Sequence, residues 1–211
     1  MFKAVNKVIK VYIYWDLVLN SAWGLLGPVF AIFLVQNISG GSLVEGAKVA
    51  GFATLFYWIT KSIIQVPIGH YLDINHGEYD DFWAGVIGTI ITGFVPFGYL
   101  LSTTAWEIYA LQVIHAIGMA LVVPSTYAIF IRHCDKGHEA LESSLDSTLL
   151  GVGVGITGAI GGITAAYFGF QTIFLLAGVF TIISAFLWLF VREEMAPHDH
   201  HKHEIPASRV Y

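Results

Sequence analysis

Three ionisable side chains sit inside long apolar runs: Asp16, Lys61 and His115. A charge held within a stretch of about 20 apolar residues costs several kcal/mol unless it meets a partner or a wet cavity, so each is a candidate functional group. A carboxylate or an imidazole in such a place can take up and release a proton, which is the chemistry of proton coupling. Asp16 follows Lys10 by six residues, roughly 9 Å of helical rise. Lys61 precedes Gly69 by eight, roughly 12 Å. If both helices enter from the same side, Asp16 and Lys61 can meet, either as a proton-coupling pair or as an ion pair that only neutralises two buried charges. His115 is either a titrating group or a neutral hydrogen-bonding one.

Each of these residues belongs to a polar and aromatic stripe. Asp16, Asn20, Trp23, Gly24 and Gly27 recur at three- and four-residue spacing and so share one helix face, with Trp15 beside them. Gln112, His115 and Met119 form a second stripe, and Tyr57 or Trp58, Lys61 and Gln65 a third. Helices that gather carboxylate, amide and indole groups on single faces are lining something polar. Stacking rings (Trp15, Trp23, Trp58) beside amides (Asn20, Gln65, Gln112) and His115 suit a small neutral polyol such as a sugar. An acid in an aromatic-lined cavity also suits a lipophilic cation, which keeps drug efflux open.

The elements that must position these residues are membrane helices. Of the 211 residues, 56% are hydrophobic and only 12% charged, about half the charge of a soluble domain. No period-two strands appear, against an outer-membrane barrel. The apolar run from Val11 is too long for a signal-peptide core. Helices are expected at about 8–36, 43–71, 81–101, 105–131, 143–167 and 171–191, with residues 1–192 as one transmembrane domain and 193–211 as a hydrophilic, His-rich tail. Ser42 to Glu45 and Thr104 to Glu107 have the spacing of capping boxes. With the N-terminus inside, Lys3, Lys7, Lys10, Arg132, Lys136, Arg192, Lys202 and Arg209 all lie on the cytoplasmic side, and only Lys48 lies outside. The positive-inside rule therefore expects a multi-pass protein of the cytoplasmic (inner) membrane with both termini cytoplasmic.

Four segments carry a resemblance to a known family. Gly69-His-Tyr-Leu-Asp73 has the glycine-three-aspartate spacing of the loop between helices 2 and 3 of the major facilitator superfamily, without the basic residues that follow in the family pattern. Gln112 to Ala120 resembles its helix 4 motif, with Gln112 in place of the leading arginine. Gly151 to Gly162 resembles its glycine-rich helix 5, without the proline, and Phe168 to Phe174 its short connection to helix 6. The resemblance implies an all-α integral membrane fold: six transmembrane helices in a three-plus-three inverted repeat, one half of a facilitator. Late prolines in helices 1 and 4, Pro28 and Pro124, agree with that repeat.

The resemblance also implies a parallel homodimer equivalent to a twelve-helix transporter working by alternating access, proton-coupled. A separately encoded partner half and a non-transporting subunit are the alternatives. Helix 2 is expected to pack on helix 5 of the second copy through Gly151, Gly155, Gly158 and Gly162. Asp73, with Gly69, is expected to gate the cytoplasmic side against the start of that copy's helix 5 at Ser143 and Ser144. No nucleophile elbow, zinc-protease helix or phosphate loop is present, so enzymatic activity, a cofactor and a nucleic-acid partner are not expected. Asp73-x-Asn-x-Gly lacks the spacing and bidentate Glu of a calcium loop. His198 to His203 is expected to be a solvated run rather than a metal site.

Overall fold

The computed structural model describes residues 5–75 and 77–195. All regular structure among them is helical: α1 (Lys7–Phe33, continued by a π-helical turn Leu34–Ile38), α2 (Leu43–Asn75), α3 (Glu78–Leu101), α4 (Ala105–His133) and α5 (Glu139–Leu187), closed by a 3-10 turn Trp188–Glu194. Five of these are long and apolar enough to cross a membrane. The expected tail beyond residue 195 lies outside the described residues.

Local chemistry sets the helix starts. Asn6 accepts a hydrogen bond from the Ile9 N–H at 2.9 Å, and its own amide donates to the His133 carbonyl, tying the start of α1 to the end of α4. The Thr104–Glu107 capping box forms in full, with Glu107 accepting from the Thr104 N–H at 2.9 Å. Only half of the Ser42–Glu45 box forms. Ser42 Oγ accepts from the Glu45 N–H at 3.3 Å, but the Glu45 carboxylate turns to Lys48 at 2.6 Å. Each cap contributes about 1 kcal/mol.

At 49 residues, α5 would be about 74 Å long as one rod, against about 30 Å of bilayer core. Gly169 interrupts it with φ 78° and ψ 171°, a conformation that favours glycine. The neighbours on either side show what the break does. Leu145 and Leu149 pack by Ile9 and Ile13 near the start of α1, and Phe170 reaches Phe33 at its end. Beyond the break Phe174 still contacts Phe33, with ring centroids 4.8 Å apart, and Trp188 has returned to Trp15, 5.4 Å away. Residues 139–168 thus follow α1 upward, and 170–187 come back.

Glycines set the closest helix contacts. Gly24 of α1 lies where a Cβ would be 3.2 Å from the Val154 backbone, and Gly161 meets the Leu25 carbonyl. In α3 a Cβ on Gly88 would lie 2.6 Å from the Gly118 carbonyl of α4, so those backbones nearly touch. Gly153 and Gly161, outside the expected ladder, are the ones that seat α5 on α1. Gly158 also faces α1, where a Cβ would lie 3.7 Å from the Gly24 carbonyl, whereas a Cβ on Gly151, Gly155 or Gly162 would enter open space.

α5 begins at Glu139, four residues before its expected start, because Glu139 and Glu142 suit the positive first turn. Ser143 and Ser144 therefore sit inside the helix, with the Ser144 hydroxyl donating to the Ala140 carbonyl at 2.6 Å. α3 likewise starts at Glu78, placing Asp80 and Asp81 in its first turn. Asp81 is fully buried and ion-paired to Arg132 in the last turn of α4.

Candidate solute site

The three expected stripes converge on one group of rings. Trp23 of α1 stacks on His115 of α4 with centroids 3.9 Å apart and planes 9° from parallel. Tyr57 of α2 meets the same imidazole at 4.9 Å and 45°. One turn further along α2, the Lys61 ammonium lies 5.7 Å from the Tyr57 ring centre and 5.0 Å from that of Trp58. Those distances are within cation–π reach.

A cavity of about 180 Å³ opens beside the stack, lined by Trp23, Leu26, Gly27, Phe30, Tyr99 and Gln112. Trp23 Nε1, His115 Nδ1 and the Tyr99 hydroxyl are buried without a hydrogen-bond partner among the described residues. Flat rings, an amide and spare polar atoms in one place can hold a planar solute and fix its orientation.

Not every expected residue joins the group. Trp15 is 2% exposed and packs against Tyr12 and against Trp188, in the core between α1 and the 3-10 turn that follows α5. It stands about two turns before Trp23 along α1 and meets Trp188, whereas Trp23 meets His115. Trp58 is 55% exposed and supports Lys61 from outside. Gln65 is half-buried one turn beyond Lys61.

Asp16 and Lys61 do not meet. The Asp16 carboxylate accepts from the Asn20 amide at 2.8 Å, and Lys61 makes no ion pair among the described residues. The reason lies in packing order: α2 lies along α4, as the Tyr57–His115 and Phe56–Tyr109 contacts show, while α1 packs against α5. Asp146 of α5 lies instead within electrostatic reach of Asp16 and Tyr12. Asp146 is not among the residues that the sequence pattern singles out. The rule that singled out Asp16 could have found it, since it stands seven residues before Gly153 on the face that meets α1.

A second cavity, of about 370 Å³, opens between the ends of α2 and α4, lined by Gly69, Asp73, Pro124, Tyr127 and Arg132 among others. Asp73 is exposed at its rim. Between α4 and α5, burial and then the Glu142 carboxylate push the Cys134 thiol up to about 12, so it is a poor nucleophile near neutral pH.

A bundle of membrane-crossing helices that gathers aromatic and polar side chains from three helices around a cavity is the architecture of a solute transporter. Residues 17–209 match the family described as Major Facilitator Superfamily, and the chain belongs to it. It is a multi-pass membrane protein of a transporter family. Among curated proteins it is 30% identical over 193 residues to the multi-drug resistance efflux pump PmrA of Streptococcus pneumoniae serotype 4 (strain ATCC BAA-334 / TIGR4), covering 90% of this chain and 46% of that one. The protein of the same name from strain ATCC BAA-255 / R6 matches equally. The chain therefore spans about half the length of the curated relatives it matches.

Proposed function

We propose that the chain forms one half of a secondary transporter that works by alternating access, its solute held against Trp23, Tyr57, His115 and Gln112. The observation that carries this reading is the Trp23–His115 stack with Tyr57 against it, which brings one ring from each of three helices together. In this reading the two segments of α5 on either side of Gly169 are separate crossings, giving six in two three-helix units. A second copy, related by an axis along the membrane normal, closes the other side of the site. The open glycines Gly151, Gly155 and Gly162 support a helix packing there, with Gly158 turned inward to α1.

Both termini face the cytoplasm of the inner membrane, and Asp16, with His115 and Lys61, carries the proton coupling. Asp73 and Gly69 act at the cytoplasmic end. The acidic first turn of α5, Glu139 and Glu142, weakens the anion site there that Asp73 of a second copy would use.

Export of flat aromatic compounds is favoured over sugar uptake, because half of the lining residues are aromatic and the curated relatives are named as multi-drug efflux pumps. The sugar reading keeps one observation in its favour, the pairing of Trp23 with Gln112 in one cavity. Proteoliposomes with an imposed pH gradient, offered in parallel an aromatic dye and a radiolabelled disaccharide, test both. The expected result is gradient-driven movement of the aromatic compound, lowered about tenfold by Trp23→Ala, the loss of a stacking platform in a desolvated site. Movement of the disaccharide alone would reverse the assignment, and movement of neither would reject transport through this site.

A further inference from the structure

We infer that the solute is an aromatic compound carrying one negative charge, its ring on the Trp23–His115 stack and its anionic group at Lys61. This rests on the solute site proposed above and adds the chemical class that it selects.

Lys61 is half-buried within a membrane-crossing helix, roughly 12 Å from Gly69 by helical rise. A lysine at that depth is costly unless something neutralises or hydrates it. None of the described carboxylates forms an ion pair with Lys61. Asp16 is held by Asn20 and faces Asp146, Asp81 is held by Arg132, and Glu45 by Lys48. Asp73 stands twelve residues further along α2, roughly 18 Å away. What Lys61 has is the faces of Tyr57 and Trp58. Ring faces steady a cation but do not cancel its charge.

Tyr57 also joins this charge to the rest of the site. Its ring centre lies 5.7 Å from the ammonium and 4.9 Å from that of His115, and His115 stacks on Trp23. A flat apolar wall and an unneutralised cation are therefore one aromatic ring apart. A lipophilic cation would meet Lys61 as a like charge. A neutral polyol would leave Lys61 without a counterion. An aromatic carboxylate satisfies both features with one molecule, and a charge-assisted hydrogen bond to the ammonium is about twice as strong as a neutral one.

The test is equilibrium dialysis of the full chain in nanodiscs against three naphthyl probes of different charge: anionic naphthoate, its neutral near-isostere naphthamide, and cationic naphthylmethyl-trimethylammonium. Naphthoate is expected to bind about tenfold more tightly than naphthamide, with the ammonium probe weakest. Lys61→Gln should abolish that preference and Lys61→Arg should keep it, while Trp23→Ala should weaken all three probes alike. Equal binding of naphthoate and naphthamide, tightest binding of the ammonium probe, or a preference that survives Lys61→Gln overturns the charge assignment and leaves the solute site standing. Failure of all three probes to bind overturns both.

Discussion

Arg132→Ala is expected to destabilise the protein by about 3–5 kcal/mol, the cost of stripping the partner from a buried charge. Asp81 is fully buried at the start of α3, and Arg132 in the last turn of α4 supplies its ion pair. The other Asp81 oxygen has no hydrogen-bond partner among the described residues, so nothing in place can substitute for the guanidinium. The pair joins α3 to α4 at the end opposite the tight Gly98–Leu111 contact, and in between Gly88 meets Gly118. Losing it should loosen one end of that helix pair rather than the whole interface. The double variant Asp81→Leu with Arg132→Met removes both charges at once and should recover most of the loss. Unfolding in graded detergent denaturant, read as a double-mutant cycle, gives the coupling directly. A single variant no less stable than the double one would mean that Asp81 is already neutral or solvated and that the ion pair contributes nothing.

Asp16→Asn is expected to abolish accumulation of solute against its gradient while leaving solute exchange measurable. Asparagine has the shape of aspartate and can still bond Asn20, but it cannot exchange a proton. Asp16 carries the Asn20 bond and lies in reach of Asp146, so two carboxylates from neighbouring helices share one region. Parallel assays of Asp16→Asn and Asp146→Asn separate their roles. If accumulation survives at Asp16→Asn and is lost at Asp146→Asn, coupling belongs to the residue on α5. If both variants accumulate solute, His115 is the remaining candidate, and the coupling role given to Asp16 is wrong.

Helix placement was legible because hydropathy and capping residues act locally. The Thr104–Glu107 box and the turn at Gly169 stand where the residue pattern puts them. The separate stripes that carry Trp23 on α1 and Gln112 and His115 on α4 were legible too, since polar groups on an otherwise apolar membrane helix mark the face that avoids lipid. What stayed hidden depends on which helices are neighbours. The proposed Asp16–Lys61 pair required α1 beside α2, and the chain instead lays α2 on α4. Trp15 looked equivalent to Trp23, because both faces of a membrane helix are apolar and hydrophobic periodicity then fixes no phase. In α5 two glycine rows run side by side. Four-residue spacing alone could not tell that Gly153 and Gly161 take the inward row. The start of α5 was missed for a simpler reason: Glu139 and Glu142 look like loop acids until the helix terminus that they favour is seen.

The solute's path is expected to run along the wall where Trp23 of α1 meets Gln112 and His115 of α4. Cys134 is the chain's one cysteine, so a Cys134→Ser background carrying Gln112→Cys places a single thiol at the cavity wall. In right-side-out and inverted vesicles, a membrane-impermeant maleimide should label that thiol from both sides, and a transported solute should slow the labelling from each. Labelling from neither side, or labelling that the solute leaves unchanged, would contradict it.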